Sequence, residues 1–108
     1  MKTNYRFGEV YKLADQIESA FDKVQFKSVF ETCNGGIDLL AFKSGQKLDT
    51  HLAPAEVMVT VLSGEIEFTM NGVANTLRQG EFLLMGADVP HSVEAKADSK
   101  VLLIKVKE

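Results

Sequence analysis

Imidazole is the side chain best suited near neutral pH to bind a divalent transition metal or to accept and return a proton. This chain of 108 residues has two, His51 and His91. The first lies in the run Gly45-Gln-Lys-Leu-Asp-Thr-His51-Leu-Ala53-Pro54-Ala-Glu56-Val57, ahead of Gly64; the second closes the run from Gly80 through Pro90 to His91. Side chains two apart on a strand point to the same side, so position 53 shares the face of His51, and a carboxylate of matching parity at 57 would complete a ligand set. Those positions hold Ala53 and Val57 instead. Glu56 is one residue out of register, which sends it to the opposite face unless a bulge after Pro54 turns it back. Two imidazoles completed by water hold zinc, nickel, iron or manganese only weakly. The alternative is a metal-free polar pair bonded to each other, to water or to an organic ligand. Both alternatives mark one pocket, which Val57, Phe42 and Met85 are expected to help line, with Glu56 a remote candidate as a further metal ligand.

The elements that must position this pair are strands. Only Leu13, Ile17, Ala20 and Phe21 follow a helical period, so a short N-terminal helical or extended segment is expected over residues 1–23. From Val24 to the end, short runs of β-branched and aromatic residues are punctuated about every ten residues, the pattern of an all-β sandwich or barrel. The breaks are Asn34-Gly35-Gly36, Ser44-Gly45, Ser63-Gly64, Asn71-Gly72, Gln79-Gly80 and Gly86. Asn71-Gly72 is the sharpest of them. Two residues that tolerate positive φ predict a type I′ hairpin between Ile66–Met70 and Val73–Leu77. In the first of these strands Ile66, Phe68 and Met70 alternate with Glu65, Glu67 and Thr69, which places one face in the core. Val57–Leu62 and Phe82–Met85 are apolar on both faces and call for a cover on each side, from a second sheet, the N-terminal segment or another subunit. Met58, Met70, Met85, Phe42, Phe68 and Phe82 fit either core filling or a ligand cavity, with core filling the commoner role.

The two histidine segments together resemble the paired motifs of the cupin superfamily. In the first motif a glycine is followed after five residues by histidine, then a second histidine, a glutamate and a closing glycine; Gly45, His51 and Gly64 match it, while Ala53 and Val57 replace the second histidine and the glutamate. The second motif runs from Gly80 to His91 at full length, with Gly86 and Asp88 in place of its inner proline and glycine. The resemblance covers about half the chain, from Phe42 to Glu94, and a His-x-Ala-Pro first motif also marks a subgroup of small single-domain cupins. It implies a double-stranded β-helix, the jelly-roll barrel of the cupins, as one domain spanning residues 1–108, with the barrel over 24–108. It also implies a depleted form of a metal site that in the family uses three histidines and a glutamate.

Composition narrows the function. A net charge of −3 provides no basic face for phosphates, so nucleic acid is not an expected partner. No apolar run approaches the ~18 residues of a membrane span, and no signal peptide is evident at the N-terminus. Cys33 is the single cysteine, so no internal disulfide is possible, and a cytoplasmic setting is expected. It also lacks a basic neighbour in sequence that would activate its thiol. Asp49 and Asp88 flank the histidines, where turn chemistry is the simpler role for each. Three functions remain open. The first is a small-molecule-binding barrel centred on His51 and His91. The second is a metal-dependent isomerase, lyase or oxygenase, or a metal-free enzyme using one histidine as general base. The third is an interaction protein. A homodimer is expected in each case, because the doubly apolar strands carry more surface than one thin barrel can cover.

Overall fold

The computed structural model describes residues 1–108. Nine antiparallel strands follow a single 3-10 turn at Leu13–Gln16: β1 (Gln25–Thr32), β2 (Gly35–Phe42), β3 (Lys47–His51), β4 (Glu56–Ser63), β5 (Glu65–Met70), β6 (Val73–Arg78), β7 (Phe82–Met85), β8 (His91–Ala95) and β9 (Ser99–Val106). They form two facing sheets, one in the order β1-β2-β9-β4-β7 and the other β3-β8-β5-β6, the all-β barrel expected from the spacing of the breaks, in the jelly-roll form that the cupin resemblance implies. No helix is long and apolar enough to cross a membrane.

The N-terminal helix is a single turn. Its helical period continues in sequence to Phe21, yet the backbone is already extended at Ile17. The reason is tertiary: Ile17 leaves the turn to bury itself against Leu39 and Ala41, on the outer side of β2. Burial of one large apolar residue outweighs the small propensity gain of another helical turn.

The hairpin forms as the sequence implies. Asn71 and Gly72 both have positive φ, at 49° and 79°, and Met70 pairs directly with Val73. The Asn34-Gly35-Gly36 break divides differently from its turn reading, because both glycines belong to β2. A Cβ on Gly35 would run into the backbone of Lys105 on β9, and one on Gly36 would meet the carbonyl of Phe30 on β1. Strands β1, β2 and β9 therefore close tightly only with glycine there.

The core lies between the sheets. Leu40 and Phe42 of β2, Val57, Val59 and Val61 of β4, Ile66 and Phe68 of β5, Val93 and Ala95 of β8, and Val101 of β9 make one buried cluster. The doubly apolar β4 is explained by it: Val57, Val59 and Val61 face this core, and Met58, Thr60 and Leu62 face outward. The N-terminal segment covers the outer side around β2, where Ile17, Leu39 and Ala41 pack with Val29, Leu62 and Leu102. At the other edge Phe82 and Leu84 of β7 remain 58% and 69% exposed.

Candidate functional site

Strand β3 ends at His51 and β8 begins at His91, and the two residues are direct partners in the antiparallel ladder between them. The register shifts between Leu48 and His51, a bulge at Asp49–Thr50. Leu48 and His51 are an odd number of residues apart, and the bulge is what lets both line the same cavity. The ring centroids of the two histidines are 4.0 Å apart, and the His91 ring stacks on Phe68 at 5.5 Å.

Each imidazole is oriented in the same way. His51 Nδ1 lies 2.8 Å from the carbonyl of Asp49, and His91 Nδ1 lies 2.9 Å from the carbonyl of Val89. A carbonyl only accepts, so each Nδ1 carries the hydrogen and each Nε2 keeps its lone pair. Neither Nε2 has a hydrogen-bonding partner within the protein. Burial pushes the His91 pKa below its usual 6.5, and the neighbouring His51 adds to that lowering, while the bond to Val89 partly opposes it. His91 is thus held as a neutral acceptor at pH 7.

The cavity behind the pair measures about 200 Å³ and lies between the two sheets. Its walls are mostly hydrophobic, with Val57, Met85, Phe68, Leu40 and Ala53 among them. Two loops frame the same end, residues 52–55 and 86–90, tied together by Asp88 N–H donating to the carbonyl of Ala53 at 2.8 Å. Asp88 adopts a positive φ of 60° in the loop before β8, as turn chemistry implies, whereas Asp49 lies in the β3 bulge and orients His51 through its backbone carbonyl.

Two expected residues fall elsewhere. Phe42 has the inward parity, but it sits at the far end of β2, opposite Ser99, with 0% exposure. It packs in the core and does not reach the cavity wall. Glu56 opens β4 as a regular partner of Val106 and faces the outer groove with Met58, Leu84 and Ile104. The chain spends its irregularity before His51, so nothing turns Glu56 inward. Met58 is also outside, Met70 packs partly buried against the core, and Phe82 projects from the outer side of β7.

Sequence reasoning missed a second polar pair. Asp38 of β2 and Lys105 of β9 line the same cavity and are joined at 2.6 Å between Oδ2 and Nζ. Lys105 lies directly across the ladder from Val57, which in turn pairs with Met85, so this ion pair occupies the framed end of the barrel. The signal was present in the alternation Asp38, Leu40, Phe42 and Val101, Leu103, Lys105. It was masked because the intervening residues of both strands are apolar as well.

The donor set does not fit a closed metal centre. No group of three or more histidine, cysteine, aspartate or glutamate side chains comes together anywhere in the chain. Ala53 and Val57 stand beside the imidazoles where further ligands would be needed. Two acceptor nitrogens at the mouth of an apolar cavity can instead receive hydrogen bonds from a small molecule.

A jelly-roll barrel with a histidine pair at its mouth defines the class, and the family model described as the cupin domain matches residues 39–107. The chain belongs to the cupin domain family. A conserved protein of unknown function from Streptococcus pyogenes is similar over 100% of this chain and 96% of its own, at 26% identity and a TM-score of 0.90. A cupin superfamily protein from Desulfitobacterium hafniense shares the fold at 21% identity and a TM-score of 0.89, over 98% of this chain and 97% of its own. A cupin 2 conserved barrel domain protein from Leptotrichia buccalis is 35% identical over 90% of this chain, with a TM-score of 0.85. This chain covers 47% of that protein, about half its length. No curated protein matches the sequence.

Proposed function

We propose that this barrel binds a small, largely apolar molecule that donates a hydrogen bond to the acceptor pair formed by His51 and His91. The observation that carries the reading is the matched orientation of the two rings. Both Nδ1 atoms are committed to backbone carbonyls, which leaves two Nε2 acceptors at the mouth of one apolar cavity. A cavity of roughly 150 Å³ accommodates a benzene-sized body, so the volume here suits a single-ring or short branched molecule. Thermal-shift measurements with 2-phenylethanol test this. Stabilisation that disappears in His51→Ala and is unaffected by chelator supports the reading; no shift in the wild-type protein contradicts it.

The same ring orientation favours a second reading, a metal-dependent enzyme of the isomerase, lyase or oxygenase class, since metal-binding histidines characteristically donate their other ring nitrogen to a carbonyl or carboxylate. With two imidazoles and no carboxylate the ion would be weakly held. One equivalent of zinc, nickel, iron or manganese in tag-free protein, lost in His51→Ala, would establish it over the first.

The exposed Phe82 and Leu84, with Val106 beside them, are the surface on which a second copy of this chain would pair. A two-fold dimer places this patch against itself, which removes apolar area that one chain leaves in water. Light scattering at twice the chain mass supports the dimer, and a monomer at that concentration contradicts it.

A further inference from the structure

Two charged side chains face inward from strands whose other inward residues are apolar, apart from Ser99 at the closed end of β9. Asp38 precedes Leu40 and Phe42 on β2, and Lys105 follows Val101 and Leu103 on β9. Inward charges sometimes protect the edge strands of a sheet. That explanation fails here, because β2 and β9 are interior strands with a neighbour on each side. Stability is no better an explanation. The side chains of Lys105 and Asp38 are 37% and 21% exposed, and ion pairs that reach solvent contribute little. What the pair does have is position: it lines the same cavity as the histidines, from the opposite sheet.

We infer that Asp38 and Lys105 are a second anchor of the binding site, and that the ligand is an uncharged molecule joining a hydrogen-bond donor and an acceptor to an apolar body, as in the hydroxy ketones. This inference rests on the small-molecule reading above and specifies its chemistry. The histidine pair offers acceptors, so it takes the ligand's hydroxyl. Lys105 has three N–H groups and Asp38 occupies one, which leaves donors for a carbonyl oxygen. Asp38 holds the ammonium in place and cancels its charge. An incoming carboxylate would meet Asp38 as well as Lys105 and would lose its hydration without a net counter-charge, while an incoming ammonium would meet Lys105. A neutral ligand meets neither penalty.

The test is calorimetric binding at pH 8, above the ordinary imidazole range, with three one-ring probes. These are 2-hydroxyacetophenone, its carbonyl-free counterpart 2-phenylethanol, and the carboxylate mandelate. In the wild-type protein 2-hydroxyacetophenone binds most tightly and mandelate most weakly. Lys105→Met lowers affinity for 2-hydroxyacetophenone about tenfold or more, the usual effect of losing a hydrogen bond to a charged group, and changes that for 2-phenylethanol by much less. Asp38→Asn leaves an uncancelled ammonium at the mouth, so mandelate gains at least about tenfold, by the same charge argument. Either variant is checked for a wild-type melting transition first, and Lys105→Arg, which keeps the charge and donors, serves as the second variant if Lys105→Met does not fold. With it, mandelate still ranks last and 2-hydroxyacetophenone still binds more tightly than 2-phenylethanol. Tighter binding of mandelate than of 2-hydroxyacetophenone by the wild-type protein overturns the inference, as does an equal effect of Lys105→Met on both neutral probes. In those outcomes binding of 2-phenylethanol that depends on His51 leaves the small-molecule reading standing. Failure of all three probes to bind overturns both.

Discussion

The two ends of the barrel are built from the same strands and differ in nearly every other respect. At one end, Phe42, Ile66, Ala95 and Val101 close the core with exposures of 0–1%. At the other, the loops 52–55 and 86–90 frame a cavity that admits His51, His91, Asp38 and Lys105 among hydrophobic walls. Successive inward positions on one strand pass from packing to chemistry: Phe42, Leu40 and Asp38 on β2, and Val101, Leu103 and Lys105 on β9. The closed end stabilises the barrel, and the framed end is left free to carry groups that a dry core could not hold.

The contrast can be broken most forcefully at the closed end. Phe42→Ala removes a fully buried ring and should cost about 3–5 kcal/mol, read by urea unfolding. It should leave the ranking of ligands untouched, because Phe42 does not reach the cavity. A smaller effect is expected from Val57→Glu, which places a carboxylate on the cavity wall beside the two imidazoles. Without metal it should lower stability by roughly 1–3 kcal/mol; with nickel or zinc the loss should be reversed, and Ala53→His added to it should strengthen metal binding further. Failure of calorimetry to detect any gain in metal affinity would show that position 57 does not share the cavity with the histidines.

A pH dependence follows from His91. Its folded pKa is depressed, so below the ordinary value of 6.5 the unfolded chain takes up the proton more readily than the folded one. Stability should therefore be unaffected by this group above about pH 7, should fall as the pH drops below 6.5, and should level off once the folded imidazole is itself protonated. The difference in urea midpoint between the wild type and His91→Gln should stay constant above about pH 7, and the wild-type midpoint should fall relative to the variant's as the pH drops below 6.5. The smallest effect belongs to His51→Ala. Its ring is exposed, so stability should change by no more than about 0.5 kcal/mol, while binding of 2-phenylethanol should be lost.

Much of the barrel was legible because period-two alternation and turn residues act locally. The Asn71-Gly72 hairpin and the inward Ile66 and Phe68 needed nothing beyond their own neighbours. The histidine pair was legible through spacing that resembles a known family. What escaped depended on distant partners. Ile17 ends its helical turn for the sake of Leu39 and Ala41, and Gly35 and Gly36 serve close strand packing against Lys105 and Phe30. Phe42 and Met85 look alike in sequence, and only their positions along the barrel separate core from cavity. Asp38 and Lys105 lie 67 residues apart in strands apolar on both faces, so neither local pattern gave the inward side. Glu56 shows the converse, since strand parity alone places it outside, and the structure does so.

The proposal that one mouth unites the two imidazoles with a ligand is tested most directly by side-chain nitrogen NMR of the histidines at pH 8. Two unprotonated Nε2 resonances, both shifting as 2-hydroxyacetophenone is added and saturating together, are the result this account predicts. Nε2 atoms found protonated, or only one resonance responding to the ligand, would contradict it.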